Sequence, residues 1–356
     1  MNETLNDQAV SIREGEELDL EKIDNWLNQQ VEGLQGQLTI KQFPGGASNL
    51  TYLLKYDNRE MVLRRPPFGK KAKSAHDMKR EYSVMNTLKK YYPCVPGMIG
   101  LCEDQEIMGS DFYVMERING IILRKDWPAE LEFSQAQVRQ LCLKVLDKLI
   151  ELHKLNPVET GLDSLGRGDG YIDRQISGWS QRYINARTED VPDYKQVMQW
   201  LDEHKPAEVR QCVIHNDFRF DNVILNPDNP MAVIGVLDWE MTTIGDPLMD
   251  LGNSLAYWVQ ADDDKAYHNL RLQPTHLPGM LTRREVVDYY CQQMGFNISN
   301  FLFYEIYGLF RLAVIAQQIY YRFFHGQTKD NRFQSFGQVV NYFEKRCLRL
   351  IEQAGH

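Results

Sequence analysis

Residues 213–225 read VIHNDFRFDNVIL, and residues 233–240 read VIGVLDWE. Each contains a short apolar run that is typical of a buried strand, and the Asn-Pro-Asp-Asn-Pro sequence between them predicts a turn. Asp217, Asn222 and Asp238 lie near the ends of these runs. Loops that flank paired strands can bring such side chains together, so the pattern predicts that the three residues converge on one point.

The chemistry that such a convergence suits is phosphoryl transfer from ATP. His215, Asp217 and Asn222 form a His-x-Asp-x-x-x-x-Asn pattern, and Asp238 follows Asp217 by 21 residues. One carboxylate can orient an acceptor hydroxyl and take its proton, while the other carboxylate and the amide oxygen are hard ligands for Mg²⁺. Each residue alone is also an ordinary turn former, but the complete pattern beside apolar strands favours the chemical interpretation.

Strand signals dominate the chain upstream of this pattern. Residues 38–67 predict a strand, a glycine-rich turn, a second strand, a turn at Asp57-Asn58 and a third strand that ends at a Pro-Pro pair. Residues 96–120 predict two further strands. Because consecutive strands joined by short turns pair with each other, these segments predict a small antiparallel sheet.

Two helices accompany this sheet. The first is predicted near Leu18–Leu34 from its apolar periodicity. The second is predicted to open at Ser74 and Asp77, a pattern that resembles a capping box, and to end about Leu88.

Helical periodicity dominates most of the remaining chain, as in Ser134–Lys154. The sequence therefore predicts an α+β protein with two lobes, a small antiparallel-sheet N-terminal lobe and a larger, mainly helical C-terminal lobe. The predicted divisions are an acidic arm and helix at residues 1–35, the N-terminal lobe at residues 36–117 and the C-terminal lobe at residues 118–356.

The composition excludes several classes of protein. The 356 residues carry a net charge of −9, most of it within residues 1–24, and this acidity argues against nonspecific nucleic-acid binding. No apolar run is long enough for a membrane-spanning helix, and the polar N-terminus shows no secretory signal. The six cysteines are scattered without a CxxC pair, which favours reduced, packed thiols in a cytoplasmic protein. The sequence leaves the oligomeric state open.

The motifs of this chain resemble the aminoglycoside phosphotransferase family, which shares the two-lobed fold of protein kinases. Within that family, the chain is most similar to the kinase-like domains fused to acyl-CoA dehydrogenases and to their free-standing bacterial relatives. The stretches that carry the resemblance are LRRPP, SAHDMKREY, YVMERINGIIL, GLDSLGRGDGY with RQISGW, HNDFRFDNVIL, VLDWEMTTIGDPLMDL and FRLAVIAQQIYYR.

The resemblance implies a role for each residue of the central motif. Asp217 would be the catalytic base, Asn222 and Asp238 would bind Mg²⁺, and His215 would brace the loop. Asn216 stands where many relatives have glycine, and asparagine tolerates left-handed backbone angles better than most residues. The geometry of the loop is therefore expected to survive this departure.

For the ATP site, the resemblance implies residues of the N-terminal lobe. The segment Phe43–Leu50 takes the place of the loop that covers the phosphates, although two adjacent glycines fit a plain hairpin as well. Met115 would wall the adenine. The remaining nucleotide contacts that the resemblance implies are Gly46, Ser48 and Asn49 in the loop and the backbone of Glu116 and Ile118 beside the base.

The strand that ends in LRRPP departs from the kinase pattern because arginine stands where the usual lysine is expected. Arg64 is the first choice for this position and Arg65, which would point to the opposite face, is the second. Arginine keeps the positive charge but presents a planar fork. Its partner acid would be Glu81, for which a solvated helix charge is the alternative.

The acceptor site is expected on residues 161–187 and 304–325. These segments are rich in arginine, glutamine and aromatic residues, which suits a neutral or anionic hydroxyl compound better than a polycationic aminoglycoside. The fusion of similar domains to acyl-CoA dehydrogenases favours a hydroxyacyl-CoA. The candidate acceptor residues are Arg174, Trp179, Arg311 and Arg322, with internal salt bridges as the alternative for Arg174 and Arg311.

The expected activity is thus an ATP- and Mg²⁺-dependent phosphotransferase acting on a small-molecule hydroxyl, with no nucleic-acid or membrane partner. One alternative is an aminoglycoside, choline or sugar kinase on the same scaffold. Another is a pseudokinase or scaffold that binds nucleotide without turnover, which only the missing lysine favours.

Overall fold

The computed structural model describes residues 9–44, 49–68, 77–298, 300–328 and 330–355. The strands are β1 (Thr39–Gln42), β2 (Leu50–Lys55), β3 (Glu60–Arg65), β4 (Met98–Cys102), β5 (Phe112–Glu116), β6 (Ile121–Ile122), β7 (Cys212–Ile214), β8 (Val223–Leu225), β9 (Val233–Val236) and β10 (Thr243–Gly245). The α-helices are α1 (Leu20–Gln30), α2 (Met78–Leu88), α3 (Gln105–Met108), α4 (Gln135–Lys154), α5 (Pro157–Thr160), α6 (Tyr171–Ala186), α7 (Lys195–Glu203), α8 (Pro247–Leu255), α9 (Lys265–Asn269), α10 (Arg283–Met294), α11 (Leu302–Phe324) and α12 (Phe336–Ala354). None of the helices in these described ranges is long and apolar enough to cross a membrane.

Contacts within the chain divide it into two compact units. The first unit comprises residues 1–123, 128–131 and 221–241, and the second comprises the remaining residues. The segment with β8 and β9 therefore packs with the N-terminal strands, although the chain on both sides of it belongs to the second unit. The lobe divisions expected at residues 35 and 117 stay a prediction.

The first unit is built on a five-stranded antiparallel sheet with the order β1-β2-β3-β5-β4. Side chains alternate between the two faces of each strand, so Leu63 of β3 joins the core that α1 covers, while its neighbour Arg64 faces the other way. Trp26 of α1 packs edge-on against Phe112 of β5, with ring centroids 5.0 Å apart. Strand β8 lies between β6 and β9 and pairs with both in an antiparallel direction.

The helices of this unit begin at side-chain caps. Helix α1 is shorter than the predicted Leu18–Leu34 because Asp19 caps its start and Val31 is already extended at its end. Helix α2 begins at Met78, since Asp77 accepts the backbone N–H of Arg80 at 2.9 Å, and it ends at Leu88 as predicted. Ser74, the other half of the predicted capping box, lies outside the described residues.

The second unit is mainly helical. Helix α11 is buried along most of its length and packs against α6, α8 and α12, while β7 and β10 form a two-stranded antiparallel ribbon. Together the two units confirm the predicted α+β class with its antiparallel sheet and helical majority. All six cysteines are free and buried, which confirms that the thiols are packed.

Candidate active site

The loop that follows β7 is held by a buried carboxylate. Asp250 of α8 accepts the backbone N–H of His215 at 2.7 Å and that of Asn216 at 2.8 Å. Its Oδ2 also lies 3.0 Å from Nε2 of His153, whose Nδ1 is 2.5 Å from the hydroxyl of Tyr290. Since all of these groups are buried, this polar network fixes the backbone of the loop.

The protonation states in this network follow from its surroundings. Burial raises the pKa of Tyr290 well above its ordinary value, so its hydroxyl keeps a proton to donate to Nδ1 of His153. The opposite ring nitrogen of His153 can then donate to Asp250. Burial by itself raises the pKa of Asp250, but the hydrogen bond from His153, the electrostatic interactions with His153 and His215 and a backbone N–H outweigh it and lower that pKa. Asp250 is therefore an ionised acceptor.

The loop itself contains a left-handed residue. Asn216 has φ 65°, which confirms the expectation that asparagine supplies the backbone geometry required here. Its Oδ1 accepts the Nδ2 of Asn253 at 3.1 Å and lies 3.5 Å from the hydroxyl of Tyr171. The imidazole of His215 is buried, and its Nδ1 accepts the backbone N–H of Asp217 at 3.2 Å, so His215 braces the loop.

Asp217 is accompanied by a cation that the sequence analysis did not single out. The Oδ1 of Asp217 lies 3.4 Å from Nη1 of Arg219, and both side chains are mostly buried. The guanidinium of Arg219 stacks over the ring of Tyr257, 4.5 Å from its centroid. The only feature of the sequence that points to Arg219 is its position two residues after the presumed base. In the structure, Arg219 places a positive charge beside the carboxylate that is expected to act on the acceptor.

In the first unit, Arg64 joins three carboxylates. Its Nη2 lies 2.8 Å from Oδ1 of Asp238 and 2.9 Å from Oε2 of Glu240, and its Nε lies 3.7 Å from Oε2 of Glu81. Burial by itself lowers the pKa of Arg64, but the surrounding groups hold it well above its ordinary value. Arg64 therefore stays charged and ties α2 to the segment that follows β9.

Glu81 is buried rather than solvated. Its Oε2 accepts the hydroxyl of Tyr113 at 3.0 Å, and its Oε1 accepts Nδ2 of Asn49 at 3.3 Å. Burial raises the pKa of Glu81, while Arg64 and the Tyr113 hydroxyl act in the opposite direction. These contacts remove the alternative of a solvated helix charge.

Asn222 and Asp238 are brought close together by β8 and β9. The carbonyl of Asn222 accepts the N–H of Leu237 at 2.8 Å, directly before Asp238. Asp238 has φ 68°, a strained backbone angle for a residue other than glycine, and such strain is concentrated at functional sites. Asp217 belongs to the second unit, so the predicted convergence of all three residues stays a prediction.

The donor set fits a magnesium ion that also binds phosphates. Asp238 and Asn222 offer a carboxylate and an amide oxygen, which are ligands that Mg²⁺ prefers. The carboxylates of Glu81, Asp238 and Glu240 all lie within ion-pair distance of the guanidinium of Arg64. No group of three or more histidine, cysteine, aspartate or glutamate side chains in the described part of the chain is arranged to hold a metal alone. Mg²⁺ usually takes its remaining ligands from water and substrate phosphates.

Glu240 is the second residue that sequence reasoning missed. Its Oε2 accepts Nη2 of Arg64 and, at 3.0 Å, Nδ2 of Asn49, and its backbone carbonyl accepts Nη1 of Arg80 at 3.2 Å. Its position two residues after Asp238 was the only available signal. Arg65, the alternative to Arg64, lies on the opposite sheet face, where its guanidinium stacks on Phe68 at 3.7 Å.

The structure places the other predicted nucleotide contacts as follows. Met115 is buried on β5, and the backbone N–H of Glu116 donates to the carbonyl oxygen of Gly97 at 2.8 Å. Ile118 is partly buried beyond the end of this strand. Gly46 and Ser48 lie outside the described residues.

The four predicted acceptor residues differ in their surroundings. Arg174 donates to the backbone carbonyls of Asp169 and, at 2.8 Å, of Gly168, and Arg322 is exposed. Arg311 is buried and stacks over Trp179, 5.2 Å from the ring centroid. Neither Arg174 nor Arg311 forms a salt bridge within the described residues, so nothing there supports the salt-bridge alternative for either.

Comparison with known proteins identifies relatives over most of the chain. A sequence model described as the phosphotransferase enzyme family matches residues 39–285. Acyl-CoA dehydrogenase family member 10 from Mus musculus is 35% identical over 307 residues, which cover 86% of this chain and 28% of that protein. The chain spans less than half the length of the curated relatives it matches. These matches confirm the resemblance drawn from the motifs.

Solved structures show the same fold. A proposed aminoglycoside phosphotransferase from Ralstonia eutropha has a TM-score of 0.79 and 27% identity, covering 95% of this chain and 99% of that chain. Choline kinase from Cryptosporidium parvum has a TM-score of 0.63 and 14% identity, covering 94% of this chain and 97% of that chain. The second likeness bears on the fold alone, and both confirm the predicted kinase-like architecture.

Proposed function

The chain belongs to the phosphotransferase enzyme family, and from this premise we propose that it transfers the γ-phosphoryl group of ATP, with Mg²⁺, to a hydroxyl of a small molecule. The observation that carries the proposal is the buried cluster in which Arg64 contacts both Glu81 and Asp238. Phosphoryl transfer in kinases depends on such a cation–acid pair beside a metal-binding aspartate. The six free, buried cysteines support a cytoplasmic location.

Each residue of the two motifs has a role in this proposal. Asp217 orients the acceptor hydroxyl through its carboxylate and takes its proton as the new bond to phosphorus forms. Arg219 keeps the carboxylate oriented and adds positive charge beside it. Asn222 and Asp238 would hold Mg²⁺, whose chemistry is to neutralise charge on the phosphates.

The favoured acceptor is a hydroxyacyl-CoA. The acceptor segments supply arginine and aromatic side chains, and Arg311 and Arg182 both lie over Trp179 with no carboxylate partner among the described residues. A polycationic aminoglycoside is disfavoured by such a surface because like charges repel. The relative from Mus musculus is named as an acyl-CoA dehydrogenase family member, which supports an acyl-CoA acceptor by association.

An ATP-consumption screen tests this proposal. Purified protein with Mg²⁺ and ATP is supplied with hydroxyacyl-CoAs, aminoglycosides, choline or simple sugars, and the Asp217→Asn variant serves as the blank. We expect phosphorylated product from a hydroxyacyl-CoA. Phosphorylation of kanamycin-like polycations with no reaction on any hydroxyacyl-CoA would overturn the acceptor, and nucleotide binding without turnover on any compound would support the pseudokinase.

Replacing Asp238 with alanine is expected to abolish the part of nucleotide binding that depends on Mg²⁺. The substitution removes the carboxylate assigned to the ion and leaves Glu81 and Glu240 to pair with Arg64. In a thermal-shift titration, ATP with Mg²⁺ should then stabilise the variant no more than ATP alone. Asp228→Asn, in the exposed turn between β8 and β9, is the control. An unchanged Mg²⁺ effect would place the metal ligand elsewhere.

Replacing Arg64 with alanine is expected to weaken ATP binding about 10- to 100-fold, since a charge-assisted hydrogen bond contributes about 1.5–3 kcal/mol. Arg64→Lys should recover much of the loss because the charge returns and only the fork is lost. Isothermal titration with ATP and Mg²⁺ measures both. Arg65→Ala is the matched comparison, expected to change stability more than affinity because Arg65 lies on the other face. Normal affinity in Arg64→Ala would exclude Arg64 from the nucleotide site.

A further inference from the structure

Arg311 is a buried cation for which the described part of the chain provides no anionic partner. Its side chain is only 4% exposed, in the middle of α11. Among the described residues no carboxylate lies within ion-pair distance of its guanidinium, and it donates no hydrogen bond. None of its nitrogens is a fully buried atom without a hydrogen-bond partner, in contrast to Nε of Arg64 and Nη1 of Arg65. An isolated buried charge is costly unless it is paired, so a buried guanidinium that water can reach is suited to an anion.

A second guanidinium joins Arg311 at the same aromatic ring. Arg182 of α6 lies 4.6 Å from the centroid of Trp179, and Arg311 lies 5.2 Å from it. Arg182 has no carboxylate partner in the described ranges either. Trp179 is held in place by a hydrogen bond from its Nε1 to Gln175 at 3.1 Å, and the hydroxyl of Tyr307 reaches the same amide oxygen at 3.4 Å. Two guanidinium groups that no described carboxylate pairs with thus flank a fixed aromatic side chain.

This cluster lies near the loop that carries Asp217. Tyr171 opens α6, the helix that carries Trp179, and its hydroxyl lies 3.5 Å from Oδ1 of Asn216. The charge of Arg311 acts on both Tyr171 and Tyr307, opposing the rise in pKa that burial causes at each. Asp250 is the acid that faces the same tyrosines, and its oxygens are taken by His153 and two backbone N–H groups.

We propose that Arg311, with Arg182 and Trp179, forms an oxyanion subsite that binds a carboxylate or phosphate group of the acceptor. The inference rests on the proposed function and makes it more specific, because it names the group of the acceptor that is recognised and the residues that recognise it. The guanidinium fork matches the paired oxygens of either group. The indole of Trp179 offers an apolar surface to the adjoining part of the acceptor. Arg174 is not part of the subsite, since its guanidinium already donates to the backbone carbonyls of Asp169 and Gly168.

Thermal unfolding of the full chain with added anions tests the subsite without requiring turnover. The probes are sodium succinate, inorganic phosphate and coenzyme A, each compared with sodium chloride at equal ionic strength. The variants are Arg311→Gln, Arg311→Lys and, as the matched control, Arg284→Gln, whose arginine is 91% exposed on α10. At an anion concentration of 100 times Kd, wild type and the control should gain on the order of 5 °C.

Arg311→Gln should lose this gain, and without anions it should unfold at or above the wild-type temperature because an unpaired buried charge has been removed. Arg311→Lys should keep part of the rise in unfolding temperature that anions cause. This variant still tests the subsite if Arg311→Gln does not fold. The preferred oxyanion is the one, succinate or phosphate, whose stabilising effect is lost in Arg311→Gln. Stabilisation by phosphate that binds elsewhere should be the same in this variant and in wild type.

An anion response that is equal in Arg311→Gln and wild type would overturn the subsite, as would the absence of any response in wild type. The result is independent of the proposed activity. If the response is lost in Arg311→Gln while no hydroxyl compound consumes ATP, the subsite stands and the proposed phosphotransfer fails.

Discussion

Replacing Asp217 with asparagine is expected to slow phosphoryl transfer by about 10²–10⁴-fold, which is the usual contribution of a general base. Asparagine can still accept a hydrogen bond from the acceptor hydroxyl, but it cannot take the proton. The substitution should therefore lower kcat while the KM for ATP changes little. Single-turnover measurement with excess enzyme isolates the chemical step from product release.

The fold should tolerate this substitution because the loop is held by its backbone. Asp250 binds the N–H groups of His215 and Asn216, and neither bond involves the side chain of Asp217. Arg219, 3.4 Å from Asp217, keeps its contact with Tyr257 in the variant. Asp228→Asn, in an exposed turn, controls for the chemical change alone. Wild-type turnover in Asp217→Asn would show that another group is the base.

The sequence predicted the elements whose signals are local. The strands on either side of the Asp57-Asn58 turn and the helix that ends at Leu88 depend on alternation, turn residues and caps within a few residues. The resemblance to the kinase strand implied Arg64 as the first choice for the lysine position, and the alternation of side chains along that strand placed Arg65 on the opposite face. The end of α1 was misjudged because apolar periodicity continues past Val31, where the backbone is already extended.

The residues that sequence reasoning missed depend on distant contacts. Glu240 meets Arg64 across 176 positions of the chain, and nothing local distinguishes it from a solvated glutamate in a turn. The lack of a described carboxylate beside Arg311 could not be predicted either, because it depends on which acidic side chains the fold brings near α11. Arg174 and Arg311 both lie in segments rich in arginine and aromatic residues, so the sequence does not distinguish them. Only the structure shows that backbone carbonyls bind Arg174, while no described carbonyl binds Arg311.

Removing the carboxylate of Asp250 is expected to cause a large loss of stability in the second unit. In Asp250→Ala, the N–H groups of His215 and Asn216 and Nε2 of His153 all lose a buried acceptor. Each buried donor left unsatisfied costs about 1–3 kcal/mol, so the free energy of unfolding should fall by at least about 3 kcal/mol. Urea denaturation measures the loss, and Asp288→Asn, on an exposed side chain of α10, provides the control.

The Asp250→Asn variant separates the charge of this carboxylate from its shape. One amide oxygen can replace only part of the acceptor capacity, so we expect a smaller loss of about 1–3 kcal/mol at neutral pH. The pKa of Asp250 is lowered in the folded chain, so its ionised form stabilises the fold above the unfolded pKa of about 3.9, and this contribution disappears as the pH falls further. The stability difference between wild type and Asp250→Asn should therefore shrink on acidification. A difference that stays constant down to low pH would mean that Asp250 supports the catalytic loop through packing rather than through its charge.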